Sequence, residues 1–249
     1  MTERIVTLAE RPDLAEAVPA VLGSRWPAFM LAGHPGHGVD LTKLAGAAAG
    51  YQVLLVDPAD QVLGVGLSVP LDWDGTPEGL PPGWDGAVSA GADLLAHGGA
   101  ANAACALSIT LTPAASGRGR SARMIGALRA AAADAGARAL VAPVRPVLKA
   151  QYPLTAMARY VAWRTPDGAV FDPWLRVHLQ LGGTLLGIVD PSMTITGTIV
   201  EWQDWTGLAL PDSGPYVIPG GLVPLLVDTA ADRAVYREPN VWVAHPART

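Results

Sequence analysis

The chain has 249 residues, half of them hydrophobic, and a formal net charge of -5. That length allows one large domain or two small ones, and the acidic balance does not supply the broad basic surface that nucleic acid requires. A single cysteine, Cys105, excludes an internal disulfide, and no CxxC or Cys/His cluster points to a bound metal.

In chain order, Ile5 to Leu8 reads as a short strand. Pro12-Asp13 then opens a helix running toward Arg25-Trp26, with Leu14, Val18, Val21 and Leu22 at helical spacing and Pro19 in its early turns or breaking it. A Gly/His loop follows at His34-Pro35-Gly36-His37-Gly38, where further ligands for a metal are not evident. Gln52 to Val56 and Val62 to Val69 are β-branched apolar runs around the turn Asp57-Pro58-Ala59-Asp60, and so form a hairpin. The stretch from Leu71 to Gly86 is a long loop dense in Gly, Pro, Asp and Trp. Loops of that length in compact domains often serve function, and Trp73 and Asp74 are its candidates for substrate contact. Ala87 to His97 is a helix that stops at Gly98-Gly99.

Ala106 to Pro146 carries the densest signal. An apolar strand, Cys105 to Thr112, enters a loop of Gly, Arg and Ser that opens directly into a helix, Ser121 to Asp134. Met124, Ile125, Leu128 and Ala132 fall on one face of that helix, Gly136 ends it, and Arg138 to Val144 is the next strand. Gly117 and Gly119 let the backbone turn tightly, and the helix start offers unpaired N–H groups and a positive dipole end. Arg118, Arg120 and Arg123 add positive charge, so a phosphate or pyrophosphate is the natural guest. A P-loop lysine is missing, and Gly117-Arg118-Gly119-Arg120-Ser121-Ala122 lacks the third glycine of a dinucleotide fingerprint.

Leu148 to Val161 reads as a helix despite Pro153. The remainder alternates loops with strand candidates at Met193 to Trp202, Tyr216 to Ile218, Leu222 to Val227 and Val241 to Ala244. His178, in an apolar element, reads as a satisfied core residue, and no Gly-x-Ser-x-Gly elbow supports a serine hydrolase. Eight tryptophans can pack the sheet or line a pocket. No signal peptide and no uninterrupted apolar run of membrane-spanning length is apparent, so a cytoplasmic setting without a membrane is expected.

The loop resembles the acyl-CoA loop of the GNAT superfamily of N-acyltransferases, which reads Gln or Arg, two residues, Gly, any residue, then Gly or Ala. Gly119 takes the first glycine, Ser121 stands at the Gly/Ala place, and Ser116 stands where Gln or Arg is usual. The resemblance covers residues 1–165, with its specific part at Ala106 to Tyr160. It implies an α/β (α+β) fold: a mixed, mostly antiparallel twisted sheet flanked by helices, with a β-rich extension. Residues 166–249 then supply the last strands of that sheet and a long C-terminal extension over the acceptor pocket.

By the same resemblance the chain moves an acyl group, acetyl by default, from acyl-CoA to an amine of a small molecule, with no metal. Gly117, Arg118, Gly119, Arg120, Ser121 and Ala122 hold the pyrophosphate, and Ile109, Thr110 and Leu111 line the pantetheine arm. Tyr152 sits where the family often keeps the acid that protonates the leaving thiolate. The glutamate that many relatives carry on the glycine-loop strand is absent from ALSITLTP. That absence leaves open another donor (carrier protein or aminoacyl-tRNA), decarboxylation of a malonyl thioester, or a non-catalytic CoA-binding or scaffold module. A homodimer is also left open.

Overall fold

In the computed structural model, which describes residues 2–33 and 38–247, nine strands join one sheet. Strand β1 (Arg4–Thr7) pairs antiparallel with β2 (Val53–Val56), and β2 with β3 (Val62–Leu71). Between β1 and β2 lie three short helices, α1 (Val18–Gly23), α2 (Ala28–Ala32) and α3 (Leu41–Ala47). Pro12 opens a 3-10 turn ahead of α1, so the single expected helix divides between Ala17 and Val18, with Pro19 in the first turn of α1. The Gly/His loop at 34–37 lies outside the described residues.

Helix α4 begins at Gly83 and runs to His97, which takes Trp84 out of the expected loop and into the first helical turn. There the Ser192 hydroxyl accepts from the Trp84 backbone N–H at 2.9 Å. Strand β4 (Ala103–Leu111) pairs antiparallel with β3 through a shift of register at Leu67/Ser68, which leaves Leu107 as the extra residue of a β-bulge. Helix α5 (Arg120–Asp134) buries Met124, Ile125, Leu128, Ala131 and Ala132 against the sheet, as its 3.6-residue spacing requires. Strand β5 (Ala139–Val144) then returns parallel to β4.

The expected helix over Leu148–Val161 is instead a 3-10 turn (Lys149–Gln151) and a separate short α6 (Met157–Val161). Pro153 lacks the N–H that would carry a helix across the gap. Helix α7 (Pro173–Gln180) starts at the Asp172 cap. Strand β6 (Thr184–Gly197) precedes helix α8 (Ile199–Thr206), so the expected strand over Met193–Trp202 ends early. Thr198 and Glu201 form a capping box there, a signal that outranks the β-branched run before it. Strands β7 (Gly214–Tyr216), β8 (Leu225–Asp228) and β9 (Arg233–Pro246) complete the chain.

Strand β9 organises the C-terminal half. Along one edge it pairs with β6 from Ala234 to Ala244. Along the other it pairs with β8 up to Val235, and with β5 from Val241 onward. Among the described residues, no strand lies beside residues 236–240 on that second edge. The core is split by the sheet. On one face Phe29, Trp84, Trp202, Tyr236 and Trp242 cluster, and on the other α5 packs with Tyr160 and Leu175.

Candidate active-site cleft

The pairing of β4 with β5 stops at Cys105↔Val141. Beyond that point the strands part, and a cleft of about 540 Å³ opens between Ala106–Leu111 and Ala142–Arg145. Ile109, Thr110 and Leu111 line it, as do Gly117 and Ser121 at its mouth. Backbone polar groups freed from a sheet ladder need partners, so a parted strand edge suits an extended, amide-bearing ligand.

Three consecutive residues at the mouth, Gly117, Arg118 and Gly119, have φ of 85°, 55° and 71°. Gly119 is the N-cap of α5 and brings no capping side chain. No described residue bonds the N–H groups of Ser121 and Ala122, the second and third positions of that helix. Open space faces both glycines. The loop is therefore a bare helix N-terminus with unpaired donors, a ready seat for an anion.

The positive charge there differs from the sequence expectation. Arg120 is buried and turned away, its guanidinium hydrogen-bonded to Glu3 and, at 3.1 Å, to the Ala115 carbonyl. Arg123 also reaches Glu3, at 3.0 Å. The Arg120 hydrogen bond above all holds the Glu3 pKa below its usual value. Arg118 stays exposed beside the loop. Arg25, a residue the sequence did not single out, lines the cleft and donates to the Leu111 carbonyl at 3.1 Å and to the Ser116 hydroxyl. Arg25 thus occupies the neighbourhood of Ser116, where the family pattern would place a Gln or Arg.

Two indoles brace β4 from the face opposite α5. Trp84 donates to the Leu107 carbonyl at 2.9 Å, which fixes the bulge. Trp26 donates to Thr110 Oγ1 at 3.1 Å, and Thr110 in turn meets Ser108 Oγ at 2.9 Å. Both Ser108 and Thr110 line the cleft.

At the inner end lies the unpaired edge of β9. Glu238 is fully buried, and its carboxylate accepts from Arg145 Nε at 2.9 Å, from the Tyr236 hydroxyl at 2.6 Å and from Asn240 Nδ2 at 3.2 Å. Burial, aided by Glu238, holds the Tyr236 phenol well above its ordinary range. Arg145 donates its Nη2 to the Gly220 carbonyl. Lys149 is buried close by and donates to the carbonyls of Tyr152 and Leu222. Burial lowers its pKa, and Glu238 opposes that shift.

Of the predicted residues, Arg118, Gly119, Arg120 and Ala122 flank the mouth without lining the cleft, and Tyr152, Trp73 and Asp74 do not join it. Tyr152 packs edge-on against Trp163 at 4.9 Å, in a ring cluster with Tyr160 and Phe171, and does not line the cavity. Trp73 donates its indole N–H to the Thr76 carbonyl at 2.7 Å, and Asp74 caps the same turn by accepting from the Thr76 N–H and hydroxyl. Their loop is closed by its own hydrogen bonds, and neither faces the cavity. The N–H of Ala122 is one of the two unbonded donors at the start of α5. Among the described residues no cluster of three or more His, Cys, Asp or Glu forms, and no helix is long and apolar enough to cross a membrane.

No protein-family model matches the chain. It is 34% identical to the arginine N-acetyltransferase AvaD of Aspergillus versicolor, in an alignment covering 96% of this chain and 92% of that protein. The fold is similar to the loading GNATL domain of CurA from Lyngbya majuscula, with a TM-score of 0.60 at 14% identity over 99% of this chain and 98% of that one. It is similar to the same degree to the GphF GNAT-like decarboxylase solved with isobutyryl-CoA, with a TM-score of 0.60 at 18% identity over 98% and 100% of the two chains.

Proposed function

This chain belongs to the GNAT superfamily and is an acyltransferase acting on an amine, and we propose that it moves an acetyl group from acetyl-CoA to an arginine-like acceptor. The observation that carries the donor assignment is the parting of β4 from β5 with a bare helix N-terminus at its mouth. The pyrophosphate is held by the N–H groups of Ser121 and Ala122, with Arg25 and Arg118 as the nearby cations. The pantetheine amides pair with the freed edge of β4 at Ile109 to Leu111. The bulge at Leu107 re-aims the strand where the thioester carbonyl arrives, so a backbone N–H there polarises it as the tetrahedral centre forms.

Positioning carries most of the rate, because two reactants held side by side lose no further translational freedom on reacting. Ser108 is the hydroxyl at the reaction centre and hydrogen-bonds the departing sulfur, oriented by its contact with Thr110. Residues 166–249 supply the acceptor side, with Met193, Glu238 and Asn240 facing the cleft. The single, buried Cys105, whose thiol pKa burial raises, suits a reducing cytoplasmic setting.

Thiol release from acetyl-CoA, measured against a panel of amines that includes L-arginine, tests the reading. Amine-dependent release with an acetylated product by mass spectrometry is the expected result. Free malonyl-CoA turning to acetyl-CoA without an acceptor, and no amine-dependent release, would replace transfer by decarboxylation.

A further inference from the structure

We propose that the acceptor is bound as an α-amino acid, with its carboxylate on Arg145 and its amino nitrogen on Asn240, so that the α-nitrogen is the one acylated. This rests on the transferase reading above and adds the atoms that hold the acceptor.

The argument starts at the unpaired stretch of β9. Residues 236–240 lie between the β8 and β5 pairings, and period-two alternation turns Tyr236, Glu238 and Asn240 to one face. Glu238 and Asn240 both line the cleft. Asn240 is 2% exposed. Its Nδ2 donates to Glu238 Oε1 at 3.2 Å and to the Pro239 carbonyl at 2.9 Å. Those two acceptors fix the amide orientation, so Oδ1 is the free end, and no described residue donates to it. Arg145 spends Nε on Glu238 and Nη2 on Gly220, and no described residue accepts from Nη1. One acceptor and one cationic donor, both held in place by Glu238, are left for a ligand.

An α-amino acid presents the complementary pair, N–H beside carboxylate. Its amine donates to Asn240 Oδ1 and keeps its lone pair for the thioester carbon. The new C–N bond forms as the C–S bond breaks, and the proton that nitrogen loses balances the one the thiol gains.

Charge selects the orientation. The charged residues lining the cleft are Arg25, Arg145 and Glu238, and both oxygens of Glu238 are occupied. A guanidinium or ammonium tail therefore finds no free carboxylate there, whereas a carboxylate finds Arg145. The apolar surfaces of Met30, Trp84 and Met193 on the same side suit the methylenes of a long side chain.

The test compares L-arginine with agmatine, which keeps the amine and guanidinium and lacks the carboxylate. The wild type is expected to show an agmatine KM about thirty-fold above that for arginine, the scale of a lost charge-assisted hydrogen bond. Arg145→Gln is expected to raise the arginine KM by a similar factor while the agmatine and acetyl-CoA KM values stay within about two-fold. Because Arg145→Gln strands the Glu238 charge, the double variant with Glu238→Gln is measured beside it and keeps the comparison interpretable if the single variant misfolds. Asn240→Ala is expected to raise KM for both amines together. The product is Nα-acetylarginine by NMR. Equal KM values for arginine and agmatine in the wild type, or acetyl on the guanidino group, overturn the proposal and leave the transferase reading standing. If acetyl-CoA neither binds nor releases thiol with any amine, the reading beneath falls, and the proposal with it.

Discussion

Nδ1 of His178 lies 2.9 Å from Nε2 of His245, and the outer nitrogen of each ring is buried with no hydrogen-bond partner among the described residues. The sequence reading of His178 as a satisfied core residue is therefore half right: the ring is core, but only one of its nitrogens is paired. Burial, and then the charge of His245, pulls the His178 pKa down to about 3. Burial, and then Arg129, pulls that of His245 to about 4. In the unfolded chain both titrate near their ordinary value of about 6.5. Below that pH the unfolded state binds more protons than the folded one, so stability falls as pH falls from about 6.5 toward 4. Thermal melts across that window should show Tm dropping steeply, and the double variant His178→Leu/His245→Leu should flatten the slope. An unchanged slope in the double variant would show that other groups set it.

Gly119 caps α5 at φ of 71° with open space where a Cβ would stand. Alanine there costs about 1 kcal/mol of backbone strain and leaves the seat open. Aspartate adds a negative charge at the helix start, where the anion is to sit. Calorimetry should then show acetyl-CoA affinity reduced a few-fold by Gly119→Ala and far more by Gly119→Asp. Equal affinities in all three proteins would move the pyrophosphate elsewhere.

Arg120 and Arg25 make opposite predictions. Arg120 joins α5 to Glu3 on the N-terminal segment, and its side chain is 9% exposed. Removing Arg120 unties the N-terminal segment from α5 and leaves Glu3 without its main partner. Arg120→Ala should lower Tm while leaving the acetyl-CoA KM nearly unchanged. Arg25 lies at the cleft mouth, and Arg25→Ala should raise that KM about ten-fold, as expected for a lost charge-assisted contact, with a smaller change in Tm. Steady-state kinetics beside thermal melts separates the two.

The contrast between these arginines shows what the chain made legible. The glycine loop and the α5 face follow from local rules, because backbone φ and 3.6-residue spacing are set within a few residues of sequence. The partner of Arg120 lies 117 residues away, and no local pattern announces it. Tyr236, Glu238 and Asn240 did leave a period-two trace in YREPNVW, a polar triplet on the inner face of a strand that is otherwise apolar on that side. Their meaning needed the gap between β8 and β5, which is a fact of topology. The Trp73 loop misled because its composition promised a site while Asp74 and Thr76 closed it on themselves.

Tyr152 and Ser108 divide the question of the acid. Tyr152 lies among Tyr160, Trp163 and Phe171 and contributes ring packing, which Phe would preserve. Ser108 stands at the parted edge of β4, with its hydroxyl 2.9 Å from that of Thr110, itself fixed by the Trp26 indole. Tyr152→Phe should keep kcat within about two-fold, because the phenol is not at the reacting atoms. Ser108→Ala should lower kcat about ten-fold or more with the acetyl-CoA KM little changed, the mark of a contact made mainly as the sulfur departs. Thr110→Val should lower kcat less, because it removes only the partner that orients Ser108. A Tyr152→Phe variant that loses activity while retaining its Tm and CoA affinity would return the acid to the position expected from sequence, and would require the ring cluster to open during turnover.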